Sequence, residues 1–352
     1  MSIKKIKQMK KIFLSTIIIS AFMLILASCS NKTTRSFSIA FYNVENLFDT
    51  IDDPNINDES YLPDSKVAWN TERYNHKLDN LSQVMKSIDT TGFPALFGLC
   101  EVENISVVQD LIKHSNLVDA GYKIIHKDSP DERGIDVALL YQPNIFKPVS
   151  TRFIVPEFIP ESDDKTRDIL YSKGIIYNSD TIHIFINHWM SRWGGQEKTE
   201  PFRIQIASTI KRISDSILDN QPLANILIAG DLNDNPTDTS ILHVLNALDP
   251  STKPISKSLY NLSLRGYKNG VGSLYYKSWD MFDQIIVSTS MISGNSGLKI
   301  SSPDQIVFKK EWMLYQPKDG PARPSRTSAG TYFGGYSDHL PVMIRIQTIH
   351  QP

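Results

Sequence analysis

The chain has 352 residues, with 37 Lys and Arg against 38 Asp and Glu. This length accommodates one large α/β domain or two small ones, and no linker-like segment divides it. The near-zero balance, without any long run of like charge, argues against a protein whose task is tight polyanion binding. It does not argue against an enzyme that contacts a few phosphates.

The N-terminus carries the pattern of a bacterial export signal. Five lysines precede an apolar run from Ile12 to Ala27 that is short for the alternative, a membrane-spanning helix. The run ends in Leu26-Ala27-Ser28-Cys29, which resembles a lipoprotein signal with Cys29 as the acylated residue. Lipidation of Cys29 would leave Cys100 without a disulfide partner, so we expect Cys100 to be a buried packing thiol.

This signal sets the expected domain organisation and location. We expect a signal peptide at residues 1–28, a polar tether at 29–36 and one domain at 37–348. Removal of residues 1–28, which carry the five lysines, leaves 324 residues with 32 basic and 38 acidic side chains, a net charge near −6. We expect a monomer that is anchored by lipid in the cell envelope. Ser30 is not the aspartate associated with inner-membrane retention in some bacteria, so the outer membrane is the expected location.

Apolar, β-rich runs alternate with amphipathic helical patterns along the domain. In the N-terminal half the predicted strands are 38–44, 95–100, 122–126 and 135–141, and the predicted helices are 75–88 and 107–112. In the C-terminal half the predicted strands are 181–186, 225–230, 279–288 and 342–346, and the predicted helices are 199–218 and 238–248. The proline-containing stretch 143–165 indicates an irregular or edge region. Asp136, a charge inside a strand, indicates either a solvent-facing edge or a group held toward a site.

The run from Asn225 to Gly230 has the composition of a strand buried on both faces, and it stops at Asp231-Leu232-Asn233. Asp231 and Asn233 are two residues apart on an extended chain, so their side chains would point to the same side. A calcium loop is excluded, because Pro236 replaces the required glycine and Leu242 replaces the bidentate glutamate. A capped turn remains an equal alternative to a functional site for this stretch alone.

Similar polar blocks follow or precede the other strands, where open α/β sheets place their ligands. In chain order they are Asn43/Glu45, Glu101, Asn187/His188, Asp231/Asn233, Asp283 and Ser337/Asp338/His339. In this order, and most specifically in Ser-Asp-His-Leu-Pro, the blocks resemble the endonuclease/exonuclease/phosphatase superfamily, which includes deoxyribonucleases, apurinic endonucleases, sphingomyelinases and inositol-polyphosphate phosphatases. The resemblance spans residues 37–346 and implies a four-layer α/β sandwich, two packed mixed β-sheets flanked by helices.

The resemblance also implies a divalent metal, Mg²⁺ or Mn²⁺, which prefers oxygen ligands and suits phosphodiester hydrolysis. Glu101 matches the metal glutamate of the superfamily. Asn43 and Glu45 are placed beside it, and Asp338 is a possible further ligand. These residues form the predicted metal shell.

The resemblance assigns the remaining blocks to catalysis. His339 is expected to act as general acid/base or to polarise the phosphate, with Asp283 holding its other ring nitrogen. Asp231 is expected to orient the attacking water, and Asn233 to hydrogen-bond the phosphate or hold Asp231 in place. His188 matches a second active-site histidine that contacts the scissile phosphate.

Three further residues are assigned around His188. Asp136 is a candidate for orienting its ring, and Asn187 is assigned to the substrate side of the site. Arg192 is either a phosphate contact, because a guanidinium can engage two oxygens, or a solvated loop arginine.

The sequence therefore predicts a metal-dependent phosphodiesterase, with an envelope-anchored nuclease as the leading interpretation and nucleic acid as the candidate substrate. Aromatic loop residues at 260–279 and 189–193 suit base stacking, although packing is the commoner role of such residues. The alternatives are a phosphatase or sphingomyelinase-like enzyme acting on phospholipid or inositol phosphate, and an inactive binding lipoprotein with the same fold.

Overall fold

The computed structural model describes residues 34–158 and 165–349. The predicted signal peptide, the lipidation site Cys29 and most of the tether lie outside these residues. Among the helices of the described residues, none is both long and apolar enough to cross a membrane.

The described residues form eighteen strands and five α-helices. The strands are β1 Ser36–Leu47, β2 Leu96–Val102, β3 Lys123–His126, β4 Asp136–Tyr141, β5 Phe146–Ile154, β6 Ile169–Ile176, β7 Asp180–His188, β8 Asn225–Asp231, β9 Ala247–Leu248, β10 Leu259–Asn261, β11 Leu274–Tyr276, β12 Ser278–Asp280, β13 Asp283–Ser288, β14 Leu298–Ile300, β15 Ile306–Val307, β16 Leu314–Tyr315, β17 Arg323–Pro324 and β18 Val342–Thr348. The helices are α1 Thr71–Ser87, α2 Ile105–Lys113, α3 Gln196–Asn220, α4 Leu264–Lys268 and α5 Thr289–Ser293. Short 3₁₀ turns lie at Glu59–Tyr61, Val118–Ala120 and Glu311–Met313, and a π-helical turn lies at Ser240–Val244.

Fourteen of these strands form two mixed seven-stranded sheets. The first sheet has the order β14-β18-β1-β2-β4-β3, with β15 also paired to β18. The second has the order β5-β6-β7-β8-β13-β10-β9. In each sheet one parallel pair lies at the centre, β1 with β2 and β7 with β8, and most neighbours are antiparallel.

The two sheets pack face to face, and helices cover their outer surfaces. Between the sheets, a side chain at Gly98 would have its Cβ 2.8 Å from Ile186 and 2.9 Å from Phe41, so the strands there approach closely. The apolar stripes of α1 and α2 pack on the outer face of the first sheet, and α3 packs on the outer face of the second. This is the predicted four-layer α/β sandwich, which is confirmed.

Local sequence explains where the two helices on the first sheet begin. The side chain of Asn70 accepts a hydrogen bond from the backbone N–H of Arg73 at the start of α1. Asn104 accepts from the backbone N–H groups of Ser106 and Val107 at the start of α2. Each asparagine satisfies donors that have no partner within the first turn.

Most predicted elements are present, and the exceptions are short or lie at an edge. The predicted helix 238–248 is wrong: residues Ser240–Val244 form a π-helical turn and Ala247–Leu248 form β9. The stretch 143–165 contains the edge strand β5, and β6 was not predicted. Cys100 is buried and unpaired, as predicted.

We predict that Gly230→Ala destabilises the protein by about 1–3 kcal/mol, because overpacking forces neighbouring groups apart. A Cβ at Gly230 would lie 2.5 Å from the backbone oxygen of Asn187, where β7 and β8 run side by side. Urea unfolding measures the loss. In the control, Gly266→Ala, the nearest atom is 3.6 Å away, and little change is expected. Equal unfolding free energies for the two variants would contradict the close approach of β7 and β8.

Candidate active site

The predicted site residues gather where strands of both sheets end. Strand β1 packs on β8, and β2 packs on β7 and β8, so the ends of these strands meet. The Ser337 hydroxyl donates a 2.8 Å hydrogen bond to the backbone oxygen of Asn43 and brings the segment before β18 to the same place. Each of the six polar blocks thereby contributes at least one side chain to one site. In the block Asn187/His188, only His188 contributes.

His339 lies between two buried aspartates. Its Nδ1 donates to Asp283 Oδ2 at 2.6 Å, and its Nε2 lies 3.7 Å from Asp231 Oδ2. Burial alone would lower the pKa of His339, but the charges of Asp283 and Asp231 raise the pKa well above its usual range. The protonated ring is therefore favoured in the folded protein, with Nε2 left to act on a bound group.

Asp231 is held by neutral donors. The side-chain amide of Asn43 donates to Asp231 Oδ2 at 3.0 Å, and the backbone N–H of Asn233 donates to Asp231 Oδ1 at 3.0 Å. Burial raises the pKa of Asp231 to about 6, while the nearby charge of His339 opposes that rise. The amide of Asn233 donates to the backbone oxygen of Trp189, so Asn233 positions Asp231 through its main chain.

His188 faces two carboxylates of the site, and its burial favours the neutral ring. Its Nε2 lies 3.7 Å from Glu101 Oε1 and 3.7 Å from Asp231 Oδ2. Burial, with the charges of Arg167 and Arg133, lowers the pKa of His188 well below its usual range. Its buried Nδ1 has no hydrogen-bond partner among the described residues.

Three of the predicted site residues have a left-handed backbone conformation that is uncommon for residues other than glycine. The φ angles are 52° at Glu45, 62° at Glu101 and 51° at Asn233. Strands β1 and β2 also change register between Asn43 and Leu47. Such irregular backbone concentrates at functional sites, and here it turns side chains of strand ends toward one point.

Glu45 and Asp338 are joined by one arginine. Arg326 Nε donates to Glu45 Oε1 at 3.1 Å, and Arg326 Nη2 pairs with Asp338 Oδ2 at 2.9 Å. The second oxygen of Glu45 accepts from the backbone N–H of Thr327 at 2.6 Å. Burial and the charge of Asp338 raise the pKa of Glu45 to about 7. Burial lowers the pKa of the neighbouring Lys77 to about 8.

The donors around Glu101 fit a hard divalent cation. Glu101 Oε2 accepts from the backbone N–H of Asn46, whereas Oε1 lies 3.7 Å from His188 and 3.9 Å from Arg133, beyond hydrogen-bond distance. One carboxylate oxygen of Glu101 is therefore left for another partner. Among the described residues of this site, the groups of possible ligand atoms within 4.8 Å of one another are Cys100, His188 and Asp231, and Asp231, Asp283 and His339. Carboxylate oxygens suit Mg²⁺ and Mn²⁺.

Two sequence assignments are wrong. Asp136 does not orient His188: its carboxylate accepts from His126 at 3.1 Å and from the Ser129 backbone at 2.7 Å. Nor does it face solvent at an edge, because β4 lies between β2 and β3 and Asp136 is buried. Asn187 does not face the substrate, because it is fully buried and its amide donates to the backbone oxygen of Ala229.

Arg192 is engaged by protein groups. Its Nη2 pairs with Asp234 at 3.0 Å and with Asp238 at 2.5 Å, and its Nε donates to the Asn233 backbone oxygen at 2.8 Å. Its guanidinium also lies 4.6 Å from the ring centroid of Phe282. Neither predicted alternative describes this arrangement: Arg192 supports the loop that carries Asn233.

Sequence reasoning missed three cations. Arg326 lies in a Gly/Pro/Ser-rich stretch without a periodic pattern, and no sequence signal marks it. Lys77 lies on the buried stripe of α1 beside Leu78 and Leu81, so a charge on an apolar face was an available signal. Arg167 pairs with Asp131 at 2.8 Å and donates from Nε to the His188 backbone oxygen at 3.2 Å, which fixes the end of β7.

An acidic cavity of about 1020 Å³ lies next to the segment that follows Glu101. Its carboxylates are Asp49, Asp52, Asp53, Glu103, Asp128, Asp131, Glu132 and Asp136, and its lining also includes Lys165. Burial raises the pKa of Glu103 to about 8. Asp131 pairs with Arg167 and Asp136 with His126, and the remaining carboxylates leave this side of the site acidic.

We predict that Asp283→Asn lowers the pKa of His339, because the variant removes the charge that favours the protonated ring. NMR titration of the ring in EDTA measures the shift. The wild-type pair stabilises the fold fully below about pH 6.5, the ordinary histidine pKa, and this contribution is lost as pH rises through the raised pKa of His339. Asp136→Asn, whose carboxyl contacts His126 instead, is the control. An unchanged His339 titration in Asp283→Asn would contradict the assignment.

Solved structures share this fold at low sequence identity. An endonuclease/exonuclease/phosphatase family protein from Bacteroides thetaiotaomicron is 13% identical with a TM-score of 0.54, covering 91% of this chain and 100% of that one. TDP2 from D. rerio complexed with single strand DNA product is 14% identical with a TM-score of 0.53, covering 89% and 99%. The mannosyl-6-phosphatase Bt3783 of B. thetaiotaomicron VPI-5482 is 14% identical with a TM-score of 0.52, covering 88% and 99%.

Sequence comparison extends this from fold to family. No curated protein is significantly similar to the chain in sequence. A sequence profile of the Endonuclease/Exonuclease/phosphatase family, however, matches residues 38–348. Because that match spans both sheets and every polar block of the site, the chain belongs to the endonuclease/exonuclease/phosphatase family, whose enzymes hydrolyse phosphodiesters or phosphate monoesters.

Proposed function

We propose that the protein is a divalent-metal-dependent phosphodiesterase, a nuclease anchored by lipid at Cys29 in the bacterial envelope. One observation carries the catalytic part of this proposal: His339 donates to Asp283 at 2.6 Å and places Nε2 3.7 Å from Asp231, and His188 lies 3.7 Å from both Asp231 and Glu101. An acid, a base and a cation site are thus within reach of a single phosphate.

Each group has a role in hydrolysis that follows from its protonation and position. Asp231 accepts hydrogen bonds from Asn43 and Asn233 and retains acceptor capacity to orient an attacking water. Protonated His339 donates from Nε2 to a phosphoryl or leaving oxygen. Neutral His188 and the neutral amide of Asn43 add hydrogen bonds near the phosphate without adding negative charge.

The carboxylate of Glu101, with those of Glu45 and Asp338, would hold Mg²⁺ or Mn²⁺. The ion supplies charge neutralisation at the phosphoryl oxygens. The side chain of Asn43, the fourth predicted metal ligand, instead accepts from the Glu45 backbone N–H at 2.9 Å and donates to Asp231. Before metal binding, Arg326 and Lys77 offset the negative charge of Glu45 and Asp338. These two cations thus compensate the repulsion between the two acids.

A second candidate function is phosphate monoester hydrolysis, or hydrolysis of a phospholipid or inositol phosphate. A fold neighbour, Bt3783, is named a mannosyl-6-phosphatase, whereas TDP2 is described with a DNA product. Exposed aromatic side chains, including Trp193 at 91% exposure and Tyr276 at 71%, favour a substrate with planar bases. An inactive binding lipoprotein is disfavoured, because no catalytic block is missing.

We predict turnover of single-stranded DNA or RNA and of bis-nitrophenyl phosphate with Mg²⁺ or Mn²⁺, and none with EDTA. The assay panel also contains sphingomyelin and inositol phosphates, which test the second candidate. Glu101→Ala and His339→Ala should each lose about 100-fold or more in rate. Asp136→Asn, which contacts neither residue, serves as the control and should retain activity. Full activity of His339→Ala on every substrate would refute the assignment of the site.

We also predict that Asp231→Asn lowers kcat by about 100-fold or more while changing Mn²⁺ affinity only a few-fold. The reason is that both carboxylate oxygens of Asp231 accept hydrogen bonds, from the Asn43 amide and the Asn233 backbone, whereas the proposed metal ligands are Glu101, Glu45 and Asp338. Calorimetric Mn²⁺ titration and steady-state kinetics on the same variant separate the two effects. Equal losses would instead place Asp231 among the metal ligands.

The lipid anchor is tested separately from the chemistry. Cys29→Ser should release the protein from the membrane fraction of the bacterium that produces it and should prevent incorporation of labelled fatty acid. A membrane-bound, unlabelled Cys29→Ser protein would point to a different form of attachment.

A further inference from the structure

One exposed surface beside the site combines cations with aromatic rings. This basic aromatic face consists of Lys277, Lys309, Lys310 and Arg323 with Tyr276, Trp279 and Tyr315. The Lys309 ammonium lies 4.3 Å from the ring centroid of Trp279, and the Lys277 ammonium lies 5.4 Å from that of Tyr276. Arg323 lies 5.6 Å from the ring centroid of Tyr315. Tyr276 and Tyr315 are 71% and 52% exposed.

The four cations of this face are not paired with carboxylates in the part of the chain that the structure describes. Within residues 34–158 and 165–349, the four form no salt bridge with a carboxylate, unlike the nearby Arg265, Lys268 and Arg326. Their charges are therefore available to a ligand. The aromatic rings that these cations contact offer flat apolar surface beside the charges.

The basic aromatic face continues into the catalytic site. Leu274, at the start of the β11–β12 hairpin, bridges to His339, and the backbone N–H of Leu340 donates to the Ser273 backbone oxygen at 2.7 Å. The Ser273 hydroxyl accepts from the backbone N–H of Asp283 at 3.1 Å. The hairpin that carries Tyr276 and Trp279 is therefore joined directly to the segment of the catalytic histidine.

The opposite flank of the site is anionic. In the first sheet β1 has β18 on one side and β2 followed by β4 on the other. The acidic cavity is formed by segments around β2 and β4, whereas the basic aromatic face is formed by β11 and β12 and by the segments that lead to β18. In the second sheet β7 faces β2 and β4, and β13 faces β18. The acidic flank and the basic aromatic flank therefore lie on opposite sides of the site in both sheets.

We propose, building on the proposed phosphodiesterase function, that the basic aromatic face binds a single strand of nucleic acid whose end occupies the active site. Phosphates pair with the free cations, and unstacked bases rest on the tyrosine rings. The acidic cavity repels a polyanion on the other flank. The strand therefore leaves the site on one side only, and cleavage proceeds from a strand end.

A single strand fits this surface better than a duplex, whose bases are stacked inside and cannot cover Tyr276 or Tyr315. An anionic membrane would also be attracted by lysines. The continuity of the face with His339 favours a substrate, because a membrane bound there would cover the mouth of the site.

The test for the binding surface uses the full-length protein and a fluorescent phosphorothioate 12-mer. The double variant Lys309→Glu/Arg323→Glu should bind the strand at least about tenfold more weakly, with a shallower salt dependence. The matched control, Lys86→Glu/Lys113→Glu, has the same charge change on α1 and α2 and should stay within about twofold. Equal weakening in both would overturn the proposal. Binding to vesicles with anionic lipid but not to the strand would assign the face to a membrane instead, which also overturns it.

The one-sided geometry has its own test. A linear single strand should be shortened from one end, and a covalently closed circle of the same sequence should resist cleavage. Circles cut as fast as linear strands would overturn the proposal. Turnover of bis-nitrophenyl phosphate by the wild type separates the two levels: small-diester turnover without strand binding rejects this inference alone, whereas no turnover of any phosphate ester rejects the proposed function.

Discussion

Several carboxylates are buried close together in the site, and the surrounding side chains offset the electrostatic cost of burying them. Glu45, Asp231 and Asp283 are each 2% exposed or less. Buried acids with like-charged neighbours have raised pKa values unless a cation or hydrogen-bond donors compensate. Here the compensation comes from His339 between two aspartates and from Arg326 between Glu45 and Asp338. A divalent cation beside Glu101 would complete it.

The fold delivers this cluster through the packing of two sheets. Neither sheet alone contains an acid, a base and a cation site, because Glu45 and Glu101 belong to β1 and β2 while Asp231 and Asp283 belong to β8 and β13. Face-to-face packing brings the strand ends together, and the left-handed backbone at Glu45 and Glu101 marks where the strands bend to do so. The same packing separates an acidic flank from a basic aromatic flank.

The family resemblance carried by the ordered polar blocks implied both the architecture and the pairing of Asp283 with His339, and the structure contains both. Sequence reasoning failed where partners are set by tertiary contacts. The side-chain amine of Lys77 contacts Thr327 across 250 positions of chain, and no local pattern encodes that distance. Asp136 was misassigned because its partners depend on which strands flank β4. Asn187 was misassigned although period-two alternation already places it opposite His188 on β7.

The central claim is that Glu101, with Glu45 and Asp338, holds a divalent cation, and a ligand that binds only the folded state raises the stability of that state. Urea unfolding at increasing Mg²⁺ concentration tests this directly. The wild type should gain stability with Mg²⁺, by about 2.7 kcal/mol at one hundred times the dissociation constant. Glu101→Gln should gain much less. A wild-type unfolding midpoint that does not change with Mg²⁺ or Mn²⁺ would contradict the account.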